Sequence, residues 1–377
     1  MKVATLTEYL KAALTAADRA RARRHTLPVS ENFWLRSDGA RLAVTGTDLE
    51  QAITVWVGAQ VEGEGFNLTL PGTLLRDLVR KLPKGKVTLE QTGRAACQIT
   101  AGSVSTVLNG TAGEEFPPVP KIKGAEPFHV NAADFRAALR RVRPAVASED
   151  SRPVLTGVLL DCVEAGTVTM CAADGFRLAV DQVPLTPAMP GPRDSAQDVK
   201  FILPGRTVDT LLALLSRFDG KVAVTLSEAK TQARFSFDDV EVVTQLIPGT
   251  FPDYRKLIPE PTGTAVAFER DEFKDAVAAV APYAREGSGI VRLTTPSEGL
   301  TVSARAEEMG TFETVVPALA EGEAKIAFNW KFLDELAAVL PEGPVVLRVT
   351  NPSSPGLFWS PGAPAYQQVI MPMFVQW

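Results

Sequence analysis

The chain has 377 residues, 45% of them hydrophobic and 22% charged, with 39 Lys+Arg against 44 Asp+Glu for a net charge of −5. This is the composition of a globular protein, which excludes a disordered chain and a uniformly basic nucleic-acid binder but not a basic face on an acidic body. No run approaches the ~20 apolar residues of a membrane span, and Met1–Glu8 carries no secretory pattern, so a cytoplasmic protein is expected.

In chain order, Val3–Leu6 leads into a helix over 6–24, followed by strands near 32–37, 41–47 and 52–58. Phe66–Leu70 then leads into a helix near 76–86 and strands near 86–91, 95–101 and 104–108. One domain is thus two β-α-β-β-β halves. The pattern recurs. Leu10-Lys11-Ala12-Ala13-Leu14 matches Phe135-Arg136-Ala137-Ala138-Leu139 and Phe273-Lys274-Asp275-Ala276-Val277. The second helix repeats as the stripes Leu75, Leu78, Leu82; Val208, Leu211, Leu215; and Leu333, Leu336, Leu340. Each stripe meets a helix-ending glycine, Gly85, Gly220 or Gly343. The proline-rich stretches Phe116–Lys121 and Ile258–Gly263 divide the chain into three tandem domains, 1–122, 123–260 and 261–377. Two helices per eight strands can cover only one side of the sheets, so the fold class is α+β.

The six helical segments, as bounded by sequence, carry twenty basic and twelve acidic side chains, which leaves the rest of the chain acidic. In the central domain, Arg136, Arg140 and Arg143 form a stripe beside the buried face of the helix. A basic face without interleaved aromatics suits contact with duplex phosphates, without sequence preference. Helices pack about 8–10 Å apart, so six in a closed ring leave no hole, whereas twelve leave one about 24 Å wide. A hole for DNA therefore needs two chains.

Catalytic chemistry is not apparent. The chain has no phosphate-binding G-x-x-x-x-G-K-[ST] loop, and Gly63-Glu64-Gly65 lacks the third glycine of a dinucleotide fingerprint. His25 and His129 read as surface residues, and Cys97, Cys162 and Cys171 offer neither a zinc spacing nor a disulfide framework. Asp48 and Asp174 hold equivalent repeat positions, where capping a turn is the expected role. No catalytic residue, metal site or cofactor is expected.

The segments Ala172–Val180, Phe251-Pro252-Asp253-Tyr254-Arg255-Lys256 and Val369-Ile370-Met371-Pro372-Met373 resemble those of the bacterial DNA polymerase III beta subunit family, the sliding clamps. Thr26-Leu27-Pro28 and Thr45–Glu50 are similar as well. The resemblance runs the full length. It implies a clamp fold with helices lining a dimeric, head-to-tail ring around duplex DNA, sheets outside, and a processivity role without catalysis. Implied partners are the clamp loader, the replicative polymerase catalytic subunit, other polymerases, ligase and mismatch-repair proteins that carry a Gln-Leu-x-Leu-Phe-type motif. The implied location is the bacterial cytoplasm, in association with the nucleoid.

Carried over by position, the implied peptide pocket comprises Leu155, Thr156, Gly157, Ala173, Gly175, Phe176, Arg177, Leu178, Pro252, Lys256, Leu257, Val369, Ile370, Met371, Pro372 and Met373. Arg24, Arg152 and Arg206 are the implied DNA-facing residues, to which the helix charge pattern adds Arg136, Arg140 and Arg141. The chain departs from the family in several places. Phe176 replaces a frequent histidine, Pro153-Val154 replaces a tyrosine pair, Phe374-Val375-Gln376-Trp377 replaces the usual terminus, and the run Ile99–Leu108 has no basic residue to meet a partner's Glu307 and Glu308. Two other readings stay open at this point: a non-ring tandem-repeat interaction scaffold, and a metal-dependent repair enzyme using Asp48 and Asp174.

Overall fold

The computed structural model describes residues 1–23, 27–63, 65–122, 126–149, 151–162, 166–186, 199–295 and 299–377. Among them are six α-helices: α1 (Thr7–Ala17), α2 (Gly72–Lys81), α3 (Ala132–Val142), α4 (Gly205–Leu214), α5 (Arg270–Glu286) and α6 (Trp330–Val339). The apolar stripes face inward as their spacing requires: Leu75, Val208, Leu211, Leu215, Leu333 and Leu336 are wholly buried. The first helix is shorter than its Ala- and Arg-rich sequence predicts. It stops at Ala17, where Arg21 turns into the body and donates to Asp18 at 2.7 Å and to the Glu31 carbonyl at 3.0 Å. Side-chain bonding of this kind competes with continuing the helix.

Each repeat interlocks its halves by exchanging first strands. In the first repeat Lys2–Leu6 pairs with Lys86–Thr92 of the second half, and Asn67–Pro71 pairs with Asn32–Asp38 of the first half. The second repeat pairs Phe128–Asn131 with Lys221–Leu226 and Lys200–Pro204 with Gly157–Asp161. The third pairs Thr264–Glu269 with Pro344–Val349 and Lys325–Asn329 with Ile290–Thr294. All are antiparallel. Neither half could complete its sheet alone.

The chain forms two compact units, Met1–Ala132 with Ala213–Leu246, and Ala133–Leu212 with Ile247–Trp377. Each contains one nine-stranded sheet made by joining two repeats. In the first unit, Gln51–Gly58 of repeat one pairs with Val240–Gln245 of repeat two, from Val240↔Val55 to Thr244↔Gln51. In the second unit, Arg177–Pro184 of repeat two pairs with Ala363–Ile370 of repeat three, from Arg177↔Ile370 to Val180↔Gln367. The rule is the same in both: the last strand of one repeat's first half joins the last strand of the next repeat's second half. Applied once more, it leaves two such strands at sheet edges. They are Val104–Asn109 in the five-stranded sheet of the first unit and Gly310–Val316 in the four-stranded sheet of the second.

Candidate functional site

In the second unit, Ala173 ends one strand and Arg177 begins the next, so the two residues flank a tight corner. Asp174 Oδ1 accepts from the amides of Phe176 and Arg177, both at 2.9 Å, and Gly175 takes φ +93, where a side chain would be strained. The turn leaves Phe176 64% exposed. Beside it the last strand of the chain ends, and the Met371 amide donates to the Phe176 carbonyl at 2.8 Å. Met371 is 44% exposed, and the chain beyond it is held by the Met373 amide donating to the Ala327 carbonyl at 2.7 Å.

Strand alternation sends Leu178 and Val369 to one face, where they share a buried apolar cluster with Leu155, Ala173, Phe251, Tyr254 and Leu357. The Phe251–Leu257 segment is pinned from below. Tyr254 is buried, which pushes its phenol up to about 12, and Arg255 reaches the buried Asp161 carboxylate at 3.5 Å, which Lys200 also approaches at 3.4 Å. With those residues anchored, Pro252, Lys256 and Leu257 face outward. The result is an apolar floor with exposed Phe176, Leu257 and Met371 above it. Such a surface takes leucine and phenylalanine side chains, and the flexible thioether of Met371 can fit more than one of them.

The sequence-predicted residues do not all meet at this surface. Ile370 is wholly buried in the core of the third repeat, on the opposite face of its strand from Val369, so it is not part of the floor. Gly157 is buried in its strand pair, where a Cβ would come within 2.5 Å of the Leu203 carbonyl oxygen; it shapes the sheet and contacts nothing outside. Thr156 donates its hydroxyl to the Pro153 carbonyl at 2.8 Å, closing a turn. Arg177 points away from Leu178 and is 9% exposed. Pro372 and Met373 are half-buried along the tail. Sequence reasoning missed Tyr254, Phe251 and Leu357, of which the first two lie inside the motif it had singled out.

Arg24 lies outside the described residues. Of the other basic positions, Arg140, Arg152 and Arg206 are exposed and Arg136 is half-buried. Arg141 must be corrected: its Nε donates to the buried Asp181 carboxylate at 2.5 Å and its guanidinium lies 5.6 Å from the Tyr366 ring, inside the body. Burial pushes the Asp181 carboxyl up, with Arg141 offsetting part of that rise. The charge contrast also shrinks. Within their true bounds the helices carry twelve basic and ten acidic side chains, because much of the predicted excess lay on the segment after Ala17. The remaining excess belongs to the first four helices, and α5 and α6 are net acidic.

Asp48 Oδ1 accepts from the amides of Glu50 and Gln51 at 3.1 and 2.8 Å, the same turn that Asp174 makes. Among the described residues no group of three or more His, Cys, Asp or Glu side chains could hold a metal. No described helix is long and apolar enough to cross a membrane.

The DNA polymerase III beta subunit models match this chain domain by domain: N-terminal over residues 1–120, central over 129–253 and C-terminal over 255–374. The chain is 29% identical to the beta sliding clamp of Synechococcus elongatus, over 99% of both sequences. It superposes on the DNA polymerase sliding clamp of Bacillus subtilis with a TM-score of 0.91 at 25% identity, both chains being fully covered. For the DNA polymerase III subunit beta of Pseudomonas aeruginosa the TM-score is 0.90 at 26% identity, again over both full chains. With three repeats of one interlocked topology, each met in order by its own domain model, the chain belongs to the DNA polymerase III beta subunit family, the sliding clamps.

Proposed function

We propose that this chain is the non-catalytic processivity factor of a replicative DNA polymerase, working as a head-to-tail dimer that encircles duplex DNA. The observation that carries the reading is the pair of leftover strand edges. Val104–Asn109 and Gly310–Val316 are each the strand that, elsewhere in the chain, joins one repeat to the next. Neither has a lysine or proline to guard it, Glu313 is the sole charge on the two strands, and Val107 and Val315 are 56% and 54% exposed. Exposed edges of six and seven residues with a single charge between them are a hazard unless they pair. Joining the third repeat of one copy to the first repeat of another satisfies both edges twice over and gives six repeats with twelve helices, the number whose ring leaves a hole for a duplex. The missing basic residues on the run Ile99–Leu108 fit an interface carried by strand pairing.

In this reading the domains divide at 1–122, 123–260 and 261–377. Arg24, Arg136, Arg140, Arg152 and Arg206 meet phosphates, so binding is indifferent to sequence. The groove around Leu178 and Val369 takes short peptides of Gln-Leu-x-Leu-Phe type, and through them the clamp loader, polymerases, ligase and mismatch-repair proteins. The decisive experiment combines native mass measurement with retention on DNA. A dimer that stays on nicked circular duplex and slides off after linearisation is expected. A monomer at micromolar concentration, or equal retention on both forms, would favour the non-ring scaffold instead.

A further inference from the structure

Adjoining the groove is an open cleft of about 990 Å³, lined by Asp174, Gly175, Phe176 and Arg177, by Lys331, Phe332 and Glu335 of α6, and by the segment 143–155. The turn that presents Phe176 is therefore not backed by a packed core. Arg177 reaches across the cleft from the turn to α6. Arg177 donates from Nε to Asp174 Oδ2 at 2.9 Å, lies 4.4 Å over the Phe332 ring, and brings Nη1 to 2.5 Å from Glu335 Oε2. Phe332 and Glu335 are three apart on α6 and so share one face. The Glu335 carboxylate thus faces the guanidinium as an ion pair.

We infer that Glu335 is a positioning residue for the peptide groove, acting through Arg177 and Asp174 to hold the turn that carries Phe176. The inference rests on the groove reading above. It assigns to α6 the task of bracing one wall. The chain of contacts is short: Glu335 fixes the guanidinium, the guanidinium fixes the second oxygen of Asp174, and the first oxygen of Asp174 closes the turn on the Phe176 and Arg177 amides. Remove the charge on Glu335 and the guanidinium has only the Phe332 face and Asp174 to hold it against open volume. The turn then fluctuates more, and Phe176 spends less time where a peptide side chain can meet it.

Two measurements on the full-length protein test this with Glu335→Gln, which keeps the size of the side chain and removes its charge. The first is amide hydrogen exchange at Phe176 and Arg177, which needs no ligand. The second is titration of a labelled Gln-Leu-x-Leu-Phe peptide in the wild-type and Phe176→Ala backgrounds. Because Glu335 is half exposed, the expected losses are modest: exchange about three- to fivefold faster, and peptide affinity about threefold weaker in the wild-type background only. Unchanged exchange overturns the inference. So does faster exchange with undiminished affinity, or an equal loss of affinity in both backgrounds, which would mark a general structural effect. If the unmodified protein binds no peptide while exchange still responds to Glu335→Gln, the groove reading fails and the brace on the turn stands.

Discussion

The two joints between repeats are built on one backbone and finished with different side chains. At the first joint the Gln245 amide donates to the Glu50 carbonyl at 2.8 Å; at the second the Met371 amide donates to the Phe176 carbonyl at the same distance. Asp48 and Asp174 close the same turn beside these bonds. The corner is polar in one place, Glu50 with Gln245, and apolar in the other, Phe176 with Met371. Joining two repeats therefore needs only the strand pair and the turn. The exposed apolar pair Phe176 and Met371 has no counterpart in Glu50 and Gln245, and that is why we read the second corner as a binding surface and not as domain packing.

The strongest way to break this comparison is to give the second corner the chemistry of the first. Phe176→Glu with Met371→Gln should lower affinity for a Gln-Leu-x-Leu-Phe peptide by about a hundredfold, since two exposed apolar anchors worth ~1–2 kcal/mol each are lost. Native mass should still report the dimer, because neither residue lies on a free sheet edge. Binding at full strength in the double variant would place the peptide site elsewhere.

The joints differ beneath the sheet as well. The second buries Arg141 against Asp181 and Tyr366, and the equivalent repeat positions at the first are Ala16, Val55 and Val240. Arg141→Ala alone should cost about 3 kcal/mol in urea denaturation, because it strands a buried carboxylate. Adding Asp181→Val should recover most of that loss by copying the first joint. The Tyr366 hydroxyl would keep its partner, donating to Gln368 Oε1 at 2.7 Å. If the second substitution deepens the loss, the pair is a net source of stability and the two joints are not interchangeable.

Much of this was legible in the sequence, and what was not has physical causes. The triple repeat, the strand bounds and the turn role of Asp48 and Asp174 rest on local patterning, which survives folding. The exchange of first strands does not: Lys2–Leu6 finds its partner at Lys86–Thr92, and nothing in either run names the other. Burial of a charge is equally silent. Arg21 and Arg141 look like surface arginines until the carboxylates of Asp18 and Asp181 are placed beside them. Ile370 was misassigned because adjacent strand residues face opposite ways, and a motif copied as a run of five ignores that alternation.

Those two carboxylates also make opposite pH predictions, one in each unit. Burial works against ionisation of Asp18, but hydrogen bonds from Arg21 and Arg76 outweigh it and hold the carboxyl below its ordinary 3.8. Its contribution is present above that value and lost as pH falls through the lower, folded one. Asp181 is shifted the other way, by burial that Arg141 only partly offsets, so its contribution is present at low pH and lost as pH rises through the folded value. Asp18→Asn should therefore destabilise at pH 7, with a penalty that shrinks on strong acidification. Asp181→Asn should be neutral or stabilising at pH 7, and that difference should vanish in acid. Urea midpoints from pH 3 to 7 would check both, and parallel curves for the two variants would contradict the assignment.

The smallest expected effect lies in the turn itself. Its second residue is Gly175 at φ +93 in one joint and Leu49 at φ +77 in the other. A left-handed conformation costs an L-residue about 1 kcal/mol that glycine does not incur. A Cβ on Gly175 would meet nothing nearer than Arg152 Nη1 at 3.8 Å, so Gly175→Ala isolates the backbone term and should cost about 1 kcal/mol. Leu49→Gly relieves the same strain but frees the unfolded chain by roughly as much, about 0.4–1 kcal/mol, so its net effect should be close to zero. The comparison is sharpest when both are read as shifts in the same urea midpoint. If Leu49→Gly destabilises by as much as Gly175→Ala, the half-exposed Leu49 side chain is packing against something that holds the first joint together, and the two turns are alike in backbone only.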